Sequence, residues 1–105
     1  MKRYFVYMLA SCRNGTLGWD VTTNLVHRTW QHRAGQVPGS NSASMLVWFE
    51  EHPDLRSTLR RLQQIGRAGY DWKAGLIEEA NPHWDDLYDT LLVRSARAPS
   101  LQAAA

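Results

Sequence analysis

An acid and a base lie seven residues apart near the start of the chain, and together they could support ester hydrolysis. Asp20 ends a strand-like segment, and His27 falls in the first turns of the helix that should follow it. A carboxylate that orients an imidazole is half of a nucleophile–base arrangement. The missing nucleophile would be a thiol or a hydroxyl, and the spacing selects none of the candidates in predicted loops, which are Cys12, Ser40, Ser42 and Ser44.

Asp20 and His27 also have other interpretations. Asp20 follows Trp19 directly, so it could act alone as a base over an aromatic ligand held against that flat ring. His27 could join His32 in binding a metal, although residues five apart project from different sides of a helix. The simplest interpretation is that both are exposed polar residues.

A cation and a second imidazole share one face of the first predicted helix. Arg28 and His32 are four residues apart, which places them one turn from each other. The pair could belong to a site or could be a solvated helix face. Tyr7, in the first predicted strand, is either a third member of that site or an aromatic residue of the core.

Arginines recur along a later predicted helix, and the chain carries a formal net charge of +2. A basic stripe of this kind could contact phosphates, so Arg56, Arg60 and Arg61 are candidate nucleic-acid contacts, with Arg67 nearby. The alternative is that the stripe is the solvent-exposed face of the helix.

Local signals predict the elements that must position these residues. The Asn14-Gly15 pair favours a tight hairpin turn, and the third apolar segment is so uniformly hydrophobic that it predicts a central strand. The predicted strands are Tyr4–Ala10, Leu17–Thr22 and Met45–Glu50, and helices should begin after Thr22-Thr23-Asn24, at Pro53-Asp54, near Trp72 and near Trp84.

This element order predicts an α/β fold. A three-stranded antiparallel or mixed sheet, built from the N-terminal hairpin and one central strand, should be flanked by three to four helices. A chain of 105 residues suits a single domain, which we place at residues 1–95, followed by a flexible tail at residues 96–105. Apolar residues at helical spacing predict the inner face of the second helix, namely Leu55, Leu59, Leu62 and Ile65.

Composition excludes several classes of protein. With 44% hydrophobic and 21% charged residues, the chain is neither wholly disordered nor fibrous. No apolar run reaches the roughly 20 residues that a membrane span needs, and residues 1–10 are typical of a strand rather than a signal peptide. The single cysteine, Cys12, excludes an internal disulfide. These features predict a cytoplasmic protein without a membrane partner.

Several segments, taken in order, resemble one known family. They are Phe5-Val6-Tyr7, Asn14-Gly15-Thr16-Leu17, Val21-Thr22-Thr23-Asn24-Leu25, Arg28 with His32, Leu46-Val47-Trp48-Phe49-Glu50-Glu51-His52, Leu59-Arg60-Arg61 and Leu76-Ile77-Glu78. Over about residues 3–92 the chain is similar to the small stand-alone bacterial branch of the GIY-YIG nuclease superfamily. The resemblance implies a cleft in which tyrosines, an arginine and a glutamate surround one divalent metal and hydrolyse DNA.

The family's functional residues are only partly present. Tyr7 matches the tyrosine of the first motif, Arg28 the arginine, and His32 the histidine one turn later. Gly18-Trp19-Asp20 stands where the second motif has its tyrosine, and Leu62 stands where the metal-binding glutamate should be. The resemblance therefore implies a magnesium or manganese site that lacks its carboxylate, and we expect no metal cofactor.

These departures would all border the same cleft, which suggests a site rebuilt by divergence or by engineering. Gly18, Trp19 and Leu62 would then line a small-molecule pocket, and ester hydrolysis through His27 and Asp20 is the first functional hypothesis. The alternatives are a DNA-binding or residual metal-dependent endonuclease module that binds DNA weakly and without sequence preference, and a scaffold without activity. The oligomeric state is left open.

Overall fold

A computed structural model describes residues 3–36 and 43–93 of the chain. The predicted tail at 96–105 and the candidate nucleophiles Ser40 and Ser42 lie outside these ranges. The described elements are the strands Tyr4–Ala10 (β1), Leu17–Thr22 (β2) and Met45–His52 (β3) and the helices Leu25–Arg33 (α1), Leu55–Arg67 (α2), Tyr70–Ala80 (α3) and 88–93 (α4). None of the helices in this part of the chain is long and apolar enough to cross a membrane.

The three strands form one antiparallel sheet in the order β2-β1-β3. The predicted α/β class, with its three-stranded sheet and flanking helices, is confirmed. The prediction that the third strand is central is wrong, because β1 occupies the middle. The β3 strand is apolar because both of its faces are covered: Val47 and Trp48 belong to the core on one side of the sheet and Leu46 to the core on the other.

Alternation along β1 divides the interior into two layers. Val6, Met8 and Ala10 face α2 and α3, whereas Tyr7 and Leu9 face α1 and α4. Successive side chains of a strand point to opposite faces, so this division continues into the paired strand β2. The layer on the α1 side is therefore separated from the layer on the α2–α3 side by the thickness of the sheet.

The α1 helix begins where an asparagine side chain caps it. Asn24 accepts a hydrogen bond from the backbone N–H of His27 through its side chain, with a donor–acceptor distance of 3.1 Å. Leu25 and Thr29 are buried against the sheet. Trp30, the next residue along the helix, is 45% exposed.

The α2 helix lies in a different rotation from the one predicted. Asp54 caps it, because its carboxylate accepts a 2.8 Å hydrogen bond from the Ser57 backbone N–H. That bond to the charged form holds the pKa of Asp54 below its usual value. Thr58 and Ile65 are buried, but Leu55 and Leu59 are 48% and 47% exposed, so the predicted inner face is wrong at those two positions.

An asparagine side chain shapes the segment between α3 and α4. Asn81 donates to the backbone carbonyls of Val47 and Asp85 at 3.0 and 2.9 Å, and it accepts from the Asp85 N–H at 3.0 Å. The ring of Trp84 is buried, and its indole N–H donates to Glu78 Oε2 at 2.8 Å. The helix predicted from Trp84 onward consequently begins only at residue 88.

Candidate functional site

A tyrosine and a histidine meet on the α1 side of the sheet. Tyr7, from the middle of β1, is fully buried, and its hydroxyl lies 3.2 Å from Nε2 of His32 in the last turn of α1. The two rings are arranged edge to face, with their centroids 5.9 Å apart. The sequence named both residues as members of one site, and the structure brings them together.

An arginine and a carboxylate lie next to this pair. Asp20 is the cross-strand partner of Tyr7, so both side chains point to the α1 side. Arg28 approaches it from α1, with 3.9 Å between Nη2 and Oδ2. The side chains of Arg28 and Asp20 are 34% and 51% exposed, which makes this a loose ion pair open to solvent. We call Tyr7, Asp20, Arg28 and His32 the polar cluster.

Further hydrogen bonds fix the exposed half of the polar cluster. Arg28 Nη1 donates to Gln31 Oε1 at 3.3 Å, and Asp20 Oδ1 accepts from the backbone N–H of Val21 at 2.8 Å. Gln31 was not among the predicted site residues, although its position three residues after Arg28 on the same helix is a signal for this contact.

Burial keeps the inner half of the polar cluster uncharged. It raises the pKa of the Tyr7 phenol, an effect that Asp20 reinforces and Arg28 opposes. Burial also lowers the pKa of the His32 imidazole, and the positive charge of Arg28 lowers it further. At neutral pH the phenol and the imidazole are therefore neutral, and the charges of the cluster are the Arg28 guanidinium and the Asp20 carboxylate.

The two ring nitrogens of His32 face the protein interior. Nε2 is engaged with the Tyr7 hydroxyl, and Nδ1 is buried with no hydrogen-bond partner among the described residues. A buried nitrogen without a partner costs free energy. In this arrangement neither nitrogen of His32 is open to a ligand.

The structure places His27 apart from Asp20. The exposed His27 ring stacks on Trp30, with 6.1 Å between ring centroids, whereas the described side-chain contacts of Asp20 are with Arg28 and Val21. The acid–base hydrogen bond on which the hydrolysis hypothesis rests is thus not formed among the described residues. Cys12, the candidate thiol, is exposed in the β1–β2 turn, where its one described side-chain contact is a 3.9 Å approach of Ser11 Oγ.

The predicted pocket residues are divided between the two faces of the sheet. Gly18 pairs with Leu9 and shares the α1 side with Asp20. Trp19 points to the other side, where the ammonium of Lys73 lies 3.9 Å from its ring centroid. Leu62 packs against the core on that same far side. A single cleft bordered by all the altered positions is therefore not formed, because neighbouring residues of β2 alternate in direction.

The residues present do not fit the divalent metal that the resemblance implies. Among residues 3–36 and 43–93, no group of three or more histidine, cysteine, aspartate or glutamate side chains is placed to hold a metal. Hard cations prefer several oxygen ligands, but Leu62 offers none and Asp20 is the one carboxylate of the polar cluster.

The basic residues of α2 differ in how they are engaged. Arg61 is bound by Glu50, with 3.1 and 3.3 Å between the paired atoms, and it also donates to Gln64 at 2.6 Å. Arg56 and Arg60 are exposed and form no ion pair with the described residues. Of the three arginines predicted to contact nucleic acid, Arg61 is therefore held by contacts within the protein. Arg56 and Arg60 are available to bind an external anion.

Comparisons with models of protein families, with curated proteins and with solved structures find no match to this chain.

Proposed function

We propose that the chain is a GIY-YIG-like domain that binds the phosphodiester backbone of DNA through the polar cluster, without the metal-dependent cleavage of that family. One observation carries the proposal. The Arg28 guanidinium stands at the partly open edge of a neutral Tyr7–His32 pair, and its acidic neighbour Asp20 is 3.9 Å away.

This geometry suits an anion for two reasons. A guanidinium binds phosphate oxygens through several N–H groups in a fixed plane, and Gln31 leaves most of those groups on Arg28 unused. The loose contact with Asp20 is screened by solvent, so a phosphate can replace it at small cost. The buried pair behind Arg28 adds no charge and limits the directions that its side chain can take.

The resemblance supports binding more than cleavage. Tyr7, Arg28 and His32 match family residues one by one, and they are the residues that meet on the α1 side. Leu62 replaces the metal-binding glutamate and lies in the core on the opposite side of the sheet. Ester hydrolysis by His27 and Asp20 receives no comparable support, because those two side chains have different partners.

Substitution of Arg28 should weaken DNA binding in a salt-dependent way. We expect Arg28→Gln to reduce the affinity for a short DNA duplex about tenfold and to lower the slope of log affinity against log salt by about 0.9, the value for one lost phosphate contact. Asp20→Asn should act in the opposite direction and tighten binding, because it removes the carboxylate that competes for Arg28. Fluorescence anisotropy of a labelled duplex over a salt series measures both effects.

The matched control is Arg13→Gln, which removes the same charge from the exposed β1–β2 turn. It should leave the salt slope nearly unchanged. Equal losses for Arg28→Gln and Arg13→Gln would refute the proposal, since binding would then depend on net charge alone. Cleavage of the duplex stimulated by magnesium or manganese would favour the residual endonuclease instead.

A further inference from the structure

A groove of about 550 Å³ lies between the end of α2 and the start of α3. It is on the side of the sheet opposite to the polar cluster, and the residues that matter for its chemistry are Arg60, Gln63, Gln64, Arg67 and Trp72. Two arginines, two amides and an indole ring thus line one depression. This combination matches neither the apolar core nor an ordinary solvated helix face.

The polar residues of the groove lie in a row along α2. Arg60, Gln63, Gln64 and Arg67 follow the spacing of one helix face, and the two arginines are about 10 Å apart along the helix axis. Neither arginine forms an ion pair with any residue that the structure describes. Their guanidinium groups are therefore available to an external anion.

The aromatic wall of the groove is held in place from behind. Trp72 is 43% exposed, and the Arg61 guanidinium lies 6.0 Å from its ring centroid. Arg61 is itself fixed by Glu50 and Gln64. This contact with Arg61 restricts the ring in advance, which lowers the entropy cost of stacking a ligand on it. Glu79 borders Trp72 in the adjoining depression with Arg61, and Asp71 directly precedes Trp72 on α3, but neither carboxylate lines this groove.

We infer that this groove binds single-stranded nucleic acid, with one unpaired base stacked on Trp72 and backbone phosphates on Arg60 and Arg67. Proteins that bind single strands without sequence preference combine a basic groove with aromatic rings in this way. Paired bases are stacked within a duplex and cannot reach an indole at the side of a groove, so the inference specifies unpaired strands. It rests on the proposed function for the class of ligand but uses residues on the other side of the sheet.

The inference predicts a large effect of one tryptophan on the binding of single strands. Trp72→Ala should weaken the affinity for a labelled oligothymidylate at least tenfold, and Trp72→Phe should restore most of it, because a phenyl ring still stacks. Trp30→Ala is the matched control, since Trp30 is 45% exposed on α1 on the far side of the sheet. An oligouridylate tested in parallel shows whether the strand is DNA or RNA.

Charge variants give a second, independent readout. Arg60→Gln and Arg67→Gln should each lower the slope of log affinity against log salt by about 0.7, the value for one phosphate of a single strand. Arg56→Gln removes the same charge from α2 outside the groove and should change the slope less. Equal effects of Trp72→Ala and Trp30→Ala, or of Arg60→Gln and Arg56→Gln, would overturn the inference.

The two proposals fail in different ways. If Arg28→Gln loses single-strand binding and Trp72→Ala keeps it, single-strand binding by the groove is refuted. The proposed function of the polar cluster is then unaffected. Loss in Trp72→Ala with no effect of Arg28→Gln on the duplex would support the groove and reject the polar cluster. Both substituted side chains are partly exposed, and unchanged thermal unfolding of each variant verifies that the fold is kept.

Discussion

Trp84→Ala is expected to lower the free energy of unfolding by about 3–5 kcal/mol, which is a large part of the total stability of a small domain. The Trp84 ring is 1% exposed and packs in the core on the α2–α3 side with Ile65 and Ile77. Truncation to alanine leaves a cavity and leaves Glu78 without the indole N–H that now donates to it at 2.8 Å. Equilibrium unfolding in urea measures the loss.

Two further tryptophan variants separate the causes of that loss. Trp84→Phe keeps an aromatic ring in the core but removes the hydrogen bond to Glu78, so it should cost less than Trp84→Ala. Trp30→Ala, at a ring that is 45% exposed, should change the stability by no more than about 0.5 kcal/mol. Similar losses for Trp84→Ala and Trp30→Ala would show that Trp84 is not a core residue.

Tyr7→Phe is expected to destabilise the protein by about 1–3 kcal/mol. The substitution keeps the buried ring but removes the hydroxyl, so His32 loses the partner of Nε2 while its Nδ1 already lacks one. The double variant Tyr7→Phe/His32→Leu should recover most of the stability, because it replaces both polar partners with apolar groups. Urea unfolding of the two single variants and the double variant gives the coupling between the residues.

Additive losses in that cycle would contradict the hydrogen bond between Tyr7 and His32. The expected result is a coupling between the two residues: the double variant should lose less stability than the two single variants lose together. The cycle also bears on function, since the pair is proposed to restrict the side chain of Arg28. A double variant that folds well but binds duplex DNA less tightly would support that positioning role.

Local signals in the sequence were sufficient for the elements and for most of their beginnings, with α4, which starts at residue 88, as the exception. The bounds of β1 and β2 agree with the prediction, the turn between them carries Asn14 at a φ of 59°, and Asn24 caps α1 as one of three candidates. Each of these depends on a few neighbouring residues, which is why the sequence alone reveals them. The order of strands depends on distant pairings, and the apolar run of β3 did not distinguish a central strand from a covered edge.

The rotation of α2 shows a second limit. Leu55, Leu59 and Leu62 form an apolar stripe, yet the buried positions are Thr58 and Ile65, with Leu62 packed beside them. An apolar stripe with a period of 3.6 predicts that one face of the helix is buried. A threonine at the edge of the stripe can still take a buried position in place of a leucine when the helix is rotated. The packing of α2 against the three strands decides that rotation, and it is not visible in the hydrophobic pattern of α2.

The candidate site was predictable in its members but not in its pairings. The resemblance selected Tyr7, Arg28 and His32, and spacing independently paired Arg28 with His32; the structure places the three together. The partner of Asp20 is decided by the register between β1 and β2, which places it opposite Tyr7 and toward Arg28. The separation of Trp19 from Asp20 follows from strand alternation, so the sequence contained that signal.

The most direct test of phosphate binding by the polar cluster is the pKa of His32, measured by NMR of the imidazole nitrogens with and without duplex DNA. Burial and the charge of Arg28 hold that pKa below the usual 6.5 in the free protein. A phosphate on Arg28 neutralises the guanidinium and should raise the pKa of His32. DNA binding should therefore tighten as the pH falls and His32 takes up a proton. We expect a higher pKa of His32 in the complex, and an unchanged pKa in DNA-saturated protein would show that no phosphate binds at Arg28.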